Sequence, residues 1–132
     1  MTTRRKDMSA AEYLQTYAEG WTKGDTDTIL RAATEDYTLD DPNAEVVSRV
    51  AFPDYLEGLK ETATSLCGGK LPDPFMEISE VITQETEGVL TAWCWWLIPG
   101  TDIKGSGLIK ADAGGVRSEV LTYYTKLPER KD

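Results

Sequence analysis

The 132-residue chain contains no histidine. Acid–base chemistry would therefore fall to aspartate, glutamate, tyrosine or lysine, and every histidine-dependent triad is excluded. Tyr17 and Asp41 carry the strongest chemical signal. Tyr17 lies on the apolar face of a predicted helix, and Asp41 ends a predicted strand held extended by Pro42. A phenol that donates a hydrogen bond and a carboxylate that takes a proton suit proton transfer on a small molecule. Asp40 and Asp41 point to opposite sides of the strand, so only one of them can face inward. Each candidate also has a plain structural reading. Tyr17 could be a core tyrosine whose hydroxyl meets a buried partner, and Asp41 could cap the turn that follows it.

The elements that must position this pair follow from periodicity and punctuation. Ser9-Ala10-Ala11-Glu12 has the form of a capping box, and Tyr13, Leu14, Tyr17, Ala18 and Trp21 recur at helical spacing behind it. Gly24 ends this helix and Asp25 caps a second, with Ile29, Leu30, Ala32 and Ala33 as its buried side. Tyr37 to Asp41 reads as a short strand. Pro53 suits the first turn of a third helix, whose stripe is Leu56, Leu59, Ala63 and Leu66 and whose stop is Gly68-Gly69. The remainder reads as sheet: 76–83, 89–98, 103–111, and 116–127 after an Ala113-Gly114-Gly115 hairpin. Residues 89–98 are apolar on both faces and carry Trp93, Trp95 and Trp96, as a central strand covered on both sides would. Helices first and a long antiparallel meander after them define an α+β chain.

Composition narrows the class. The hydrophobic content of 40% marks a globular protein, and the length suits one domain, 1–132, with residues 1–8 expected to be a disordered N-terminal extension. A formal net charge of -9 argues against a nucleic-acid partner and against docking on anionic membranes. Cys67 and Cys94 form neither a disulfide framework nor a zinc site. No stretch approaches the roughly 20 apolar residues of a membrane span, and the basic N-terminus leads into no signal-peptide core. The expectation is a soluble, cytoplasmic protein without metal or cofactor.

Tyr17, Gly24-Asp25, Asp27, Asp36, Asp41-Pro42, the two-sided tryptophan strand and the Gly114-Gly115 hairpin together resemble the NTF2-like superfamily. That superfamily includes ketosteroid isomerase and the SnoaL-like polyketide cyclases. The resemblance covers about Ala10 to Leu127. It implies a cone-shaped fold in which three N-terminal helices pack on a strongly curved, mainly antiparallel sheet that encloses a pocket. Its nearest motif is that of ketosteroid isomerase: a tyrosine seven residues before the Gly-Asp turn, then an aspartate directly before proline. By that resemblance Asp41 moves a proton at the carbon next to a carbonyl and Tyr17 stabilises the oxyanion. The family's second oxyanion donor, an aspartic acid, is replaced at the matching position by Ser106, a weaker donor.

The resemblance also places Glu119, Leu121 and Tyr123 on one face toward the pocket. Glu119 is then either a second acid–base group or an exposed residue at the outer end of the sheet. Trp21, Trp93, Trp95, Glu119 and Tyr123 are the expected ligand contacts, with the tryptophans divided between the pocket and a homodimer interface on the sheet face. The ligand expected is a small, hydrophobic, cyclic molecule. The functional expectation is an isomerase-like or cyclase-like enzyme. The alternative is a non-catalytic ligand-binding or dimerisation module that keeps the cone without the chemistry.

Overall fold

A computed structural model describes residues 8–124. Helix α1 (Ala10–Lys23) begins with the expected capping box: the Glu12 amide donates to Ser9 Oγ at 3.1 Å and the Ser9 amide to Glu12 Oε1 at 3.0 Å. Gly24 closes it in the left-handed region at φ 67°. Asp25 then caps α2 (Thr26–Ala32), accepting from the Asp27 amide and the Thr28 hydroxyl. Strand β1 (Ala33–Asp41) follows without a loop, and β2 (Glu45–Ser48) pairs back on it. Helix α3 (Phe52–Leu66) carries Pro53 in its first turn. Four strands complete the chain: β3 (Glu77–Thr86), β4 (Val89–Leu97), β5 (Lys104–Asp112) and β6 (Gly115–Tyr123).

The six strands form one curved, unclosed mixed sheet in the order β2-β1-β6-β5-β4-β3. All neighbours are antiparallel except β1 and β6, which run parallel with Leu39 beside Glu119 and Asp40 beside Val120. Two features of this region differ from the sequence expectation. Ala33, expected on the buried side of α2, opens β1, whose first half, Ala33 to Asp36, lacks clean alternation; and β2 is a four-residue edge strand too short for a periodic signal. The last strand was expected to run to Leu127. Its final residues, like most of the proposed N-terminal extension, lie outside the described residues.

Alternation along the strands separates two faces. Inward, toward the helices, point Tyr37, Leu39 and Asp41 of β1, Leu90, Ala92, Cys94 and Trp96 of β4, and Glu119 and Leu121 of β6. With Trp21, Ile29, Phe52 and Leu56 from the helices they make one contiguous core. Tyr17, Trp21, Tyr37 and Phe52 join it edge to face, with ring centroids 5.7–6.4 Å apart. The outer face carries Trp93, Trp95, Leu108 and Val120, the last two about 40% exposed. At the hairpin end, Arg117 bridges Asp36 and Asp112 at the surface, a pairing that contributes little to stability.

Candidate active site

Helix α1 and the inner face of β4 to β6 leave a hollow between them. Its wall includes Leu14, Tyr17, Trp21, Cys94, Trp96 and Glu119, and its free volume is about 40 Å³. An ordered water needs about 10–15 Å³ and a dry cavity that takes benzene about 150 Å³, so the hollow has room for a few waters as it stands and admits a compact ring only where its wall yields. Tyr123 and Leu59 stand at its edge and also border a wider, open basin of about 480 Å³ beside Asp41, Tyr55 and Lys104.

Three polar side chains meet at the inner end of the hollow. Tyr17 donates a short hydrogen bond to Glu119 Oε1, and its hydroxyl lies 2.7 Å from that of Tyr37. Tyr17's proton is engaged with the carboxylate, so Tyr37 is the donor to Tyr17. The result is a donor chain, Tyr37 to Tyr17 to Glu119, with all three residues no more than 5% exposed. Glu119 Oε2 makes no hydrogen bond within the described residues. It lies against Gly107 of β5, where an added Cβ would come within 2.2 Å of it. Glycine is required here for space, because any side chain would push the carboxylate out of line. Gly107→Ala is expected to break the Tyr17–Glu119 contact and cost about 1–3 kcal/mol of stability, checked by chemical denaturation and by loss of the chemistry proposed below.

Burial sets the proton affinity of this group. Desolvation pushes the Glu119 carboxyl up to about 7, against the opposing effect of the Tyr17 hydrogen bond. Tyr17 is raised far above the usual phenol value, by burial first and then by the negative charge of Glu119. Tyr17 is therefore a fixed donor and Glu119 the group that gains and loses a proton near neutrality. Cys94, in the same wall, is pushed up to about 12 by burial and by Glu119, so it stays a thiol and not a nucleophile.

Asp41 stands elsewhere. It is buried while Asp40 is exposed, so it is the inward member of that pair. Yet its carboxylate accepts from Tyr55 at 2.5 Å, from Tyr123 at 2.7 Å and from the Asn43 amide at 2.8 Å, and not from Tyr17. The reason is strand geometry. Asp41 is four residues beyond Tyr37 on β1, roughly 13 Å along the strand. Tyr123 is four residues beyond Glu119 on the parallel neighbour β6. The two strands thus present two tiers: Tyr37 and Glu119 at depth with Tyr17, Asp41 and Tyr123 at the rim with Tyr55. The expected Tyr17–Asp41 pair is replaced by Tyr17–Glu119.

Asp41→Asn tests the rim tier separately. The amide nitrogen would face two phenol donors at Oδ2, or the Asn43 amide after a flip. A loss of about 1–3 kcal/mol is expected by thermal or chemical denaturation, with the titration of Glu119 unmoved.

Ser106 is not a partner of Tyr17 either. It sits on the opposite face of the sheet, hydrogen-bonded to Thr122, because β5 turns Gly105, Gly107 and Ile109 inward. Trp93 and Trp95 share that outer face, their rings 4.5 Å apart, with Tyr124 tilted against Trp95 at 4.7 Å. Neither lines the hollow. Trp21 and Tyr123 do, together with Trp96, whose parity on β4 is opposite to that of Trp93 and Trp95. The sequence shows Glu119 as an acid on the same strand face as Leu121 and Tyr123. It does not show its depth. Among the described residues no group of three or more Cys, Asp or Glu side chains could hold a metal ion, and no helix is long and apolar enough to cross a membrane.

No protein-family model matches the sequence, and no curated protein matches it. The fold is nonetheless shared with many solved structures. An NTF2-like protein from Cytophaga hutchinsonii superposes with a TM-score of 0.63 at 13% identity, over 86% of this chain and 94% of that one. A candidate polyketide cyclase from Xanthomonas campestris pv. campestris gives 0.60 at 16% identity, over 87% and 90%. A candidate ketosteroid isomerase from Kribbella flavida gives 0.56 at 9% identity, over 91% and 81%. The chain has the NTF2-like fold.

Proposed function

We propose that this chain is a cofactor-independent enzyme that moves a proton at the carbon next to the carbonyl of a compact, neutral, apolar ring. The observation that carries the reading is Glu119: a buried carboxyl poised near pH 7, facing an apolar hollow, with one oxygen held by Tyr17 and the other without a hydrogen bond. As carboxylate, Glu119 removes the proton. The C–H electron pair then delocalises onto the carbonyl oxygen to give an enolate. Returning the proton to another carbon is an isomerisation; attack of the enolate on a second carbonyl is a cyclisation. Tyr17 and Tyr37 hold the base in place and keep its ionised form accessible despite burial. The NTF2-like fold of candidate isomerases and cyclases agrees with this class of chemistry.

Cyclohexanone in D2O is a direct probe. Wild type is expected to catalyse deuterium entry at the α-carbons, with a rate that rises through a single ionisation near pH 7, followed by NMR. Absence of catalysis across the pH range would overturn the reading. The small free volume favours the second reading, a binding module that has kept the cone alone. Tight ketone binding without exchange would establish it.

The outer face supports a further proposal about assembly. Trp93, Trp95, Leu108, Val120 and Tyr124 form an apolar surface on the side away from the hollow, and we propose that two copies pair through it. Trp95→Glu should convert a dimer to a monomer in light scattering, with ketone exchange retained. Both cysteines are unpaired, which suits a reducing compartment such as the cytoplasm.

A further inference from the structure

A ring can enter a hollow of about 40 Å³ only where part of the wall moves. Most of the wall is fixed. Ala92, Cys94, Trp96 and Ile109 are no more than 6% exposed and sit on β4 and β5, strands paired on both sides. Tyr17 is bound to Glu119, and Trp21 is wedged edge to face between Tyr17 and Phe52.

Tyr123 is placed differently. It is the last residue of β6 and is half-buried. On one side its ring meets Trp96 edge to face, with centroids 5.4 Å apart, and closes the hollow. On the other side it borders the open basin of about 480 Å³, which has room to receive the ring. Among the described residues only Leu59 shares this position on both walls. The Tyr123 hydroxyl is held by its hydrogen bond to Asp41 Oδ2 at 2.7 Å. When that bond opens, Asp41 keeps the Tyr55 hydroxyl and the Asn43 amide, so the buried carboxylate is not left without donors. A phenol ring displaced into the basin vacates the space of a benzene-sized ring.

We propose that Tyr123 is a gate between the hollow and the basin, latched by Asp41, which swings aside to admit a ligand ring and so sets the size of ring accepted. This rests on the reading of the hollow as a ligand site, and it gives the Asp41 tier a part in binding rather than in proton transfer. A closed gate lowers the apparent affinity by the fraction of molecules in which it stands open. Loss of the latch raises that fraction.

Cyclohexane is the probe, because it carries neither a carbonyl nor a ring current. The full chain, with carbon-13 in its tyrosine rings, gives six sets of ring signals. In the free protein the Trp96 indole holds those of Tyr123 away from the values of an unstructured tyrosine. Saturation with cyclohexane should bring them back toward those values, with the signals of Tyr37 unmoved. Tyr123→Phe keeps the ring and lacks the latch, and should bind cyclohexane about 3- to 10-fold more tightly. Val81 lines the hollow from β3 and is 52% exposed. Val81→Ala widens that side of the mouth and should change the affinity less than about 2-fold.

Cyclohexane that binds wild type with the Tyr123 signals unmoved, that binds none of the three proteins, or that gains as much from Val81→Ala as from Tyr123→Phe overturns the gate. Binding by Tyr123→Phe alone supports it, because the latch is then what shuts wild type. If Tyr123→Phe does not fold, the wild-type spectrum decides, with Tyr123 identified by its contact with Trp96. Deuterium exchange into cyclohexanone is read separately. Exchange with a fixed Tyr123 ring overturns the gate and keeps proton transfer, whereas a moving ring without exchange does the reverse.

Discussion

Glu119→Gln is expected to lower the rate of α-proton exchange by about 10²–10⁴, the usual contribution of a positioned base. Glutamine keeps the length and can still accept from Tyr17, so the donor chain and the fold should survive. What disappears is the proton-accepting oxygen and, with it, the ionisation near pH 7. The pH–rate profile of any residual exchange should therefore be flat across that range. Tyr17→Phe provides the contrast. It removes the hydrogen bond that favours the carboxylate, so the apparent ionisation should move upward from about 7 while exchange persists at high pH. A variant pair in which Tyr17→Phe abolishes exchange at every pH and Glu119→Gln does not would place the base elsewhere, with Asp41 the next candidate. Deuterium incorporation measured from pH 5 to 9 decides between them.

The second large effect is on stability. The Glu119 carboxyl is raised from an ordinary value of 4.5 to about 7 in the folded protein. Between those values the native state holds a proton that the unfolded chain has released. Folding is then favoured at low pH, and the advantage is lost as pH climbs from about 4.5 through about 7. For a fully buried group the shift corresponds to roughly 3 kcal/mol. Wild type should thus be less stable at pH 8 than at pH 5, opposite to the trend set by exposed, ion-paired carboxylates such as Asp36 and Asp112, which are lowered. Glu119→Gln should remove most of this dependence and be the more stable protein at pH 8. Urea melts of both proteins at the two pH values provide the measurement. Parallel wild-type and variant curves would show that Glu119 does not titrate in this range.

Both effects rest on one carboxylate at the bottom of an apolar hollow, and that placement follows from backbone arrangement. The parallel β1–β6 pair sets Glu119 beside Leu39, level with Tyr17 on the overlying helix. Gly107 on the next strand leaves room for it. The same parity that turns Glu119 inward turns Ser106, Trp93 and Trp95 outward, and so divides the aromatic residues into a cavity wall and a surface patch.

The order of helices, the Ser9 capping box, the Asp25 cap, Pro53 at the start of α3 and the tryptophan strand are all readable along the chain, because each depends on residues within a turn or two of one another. The α+β class follows from their order. The inward direction of Asp41 rather than Asp40 also needs only the period of a strand. The partner of Tyr17 does not yield to that kind of reasoning. Asp41 and Glu119 are both acids on the inner face. Which one reaches the phenol depends on the depth at which two strands, far apart in the chain, lie side by side. Four residues of register separate the two tiers, and no local pattern in either strand encodes that offset. It is set by how α1 settles on the finished sheet, where the whole core must close at once.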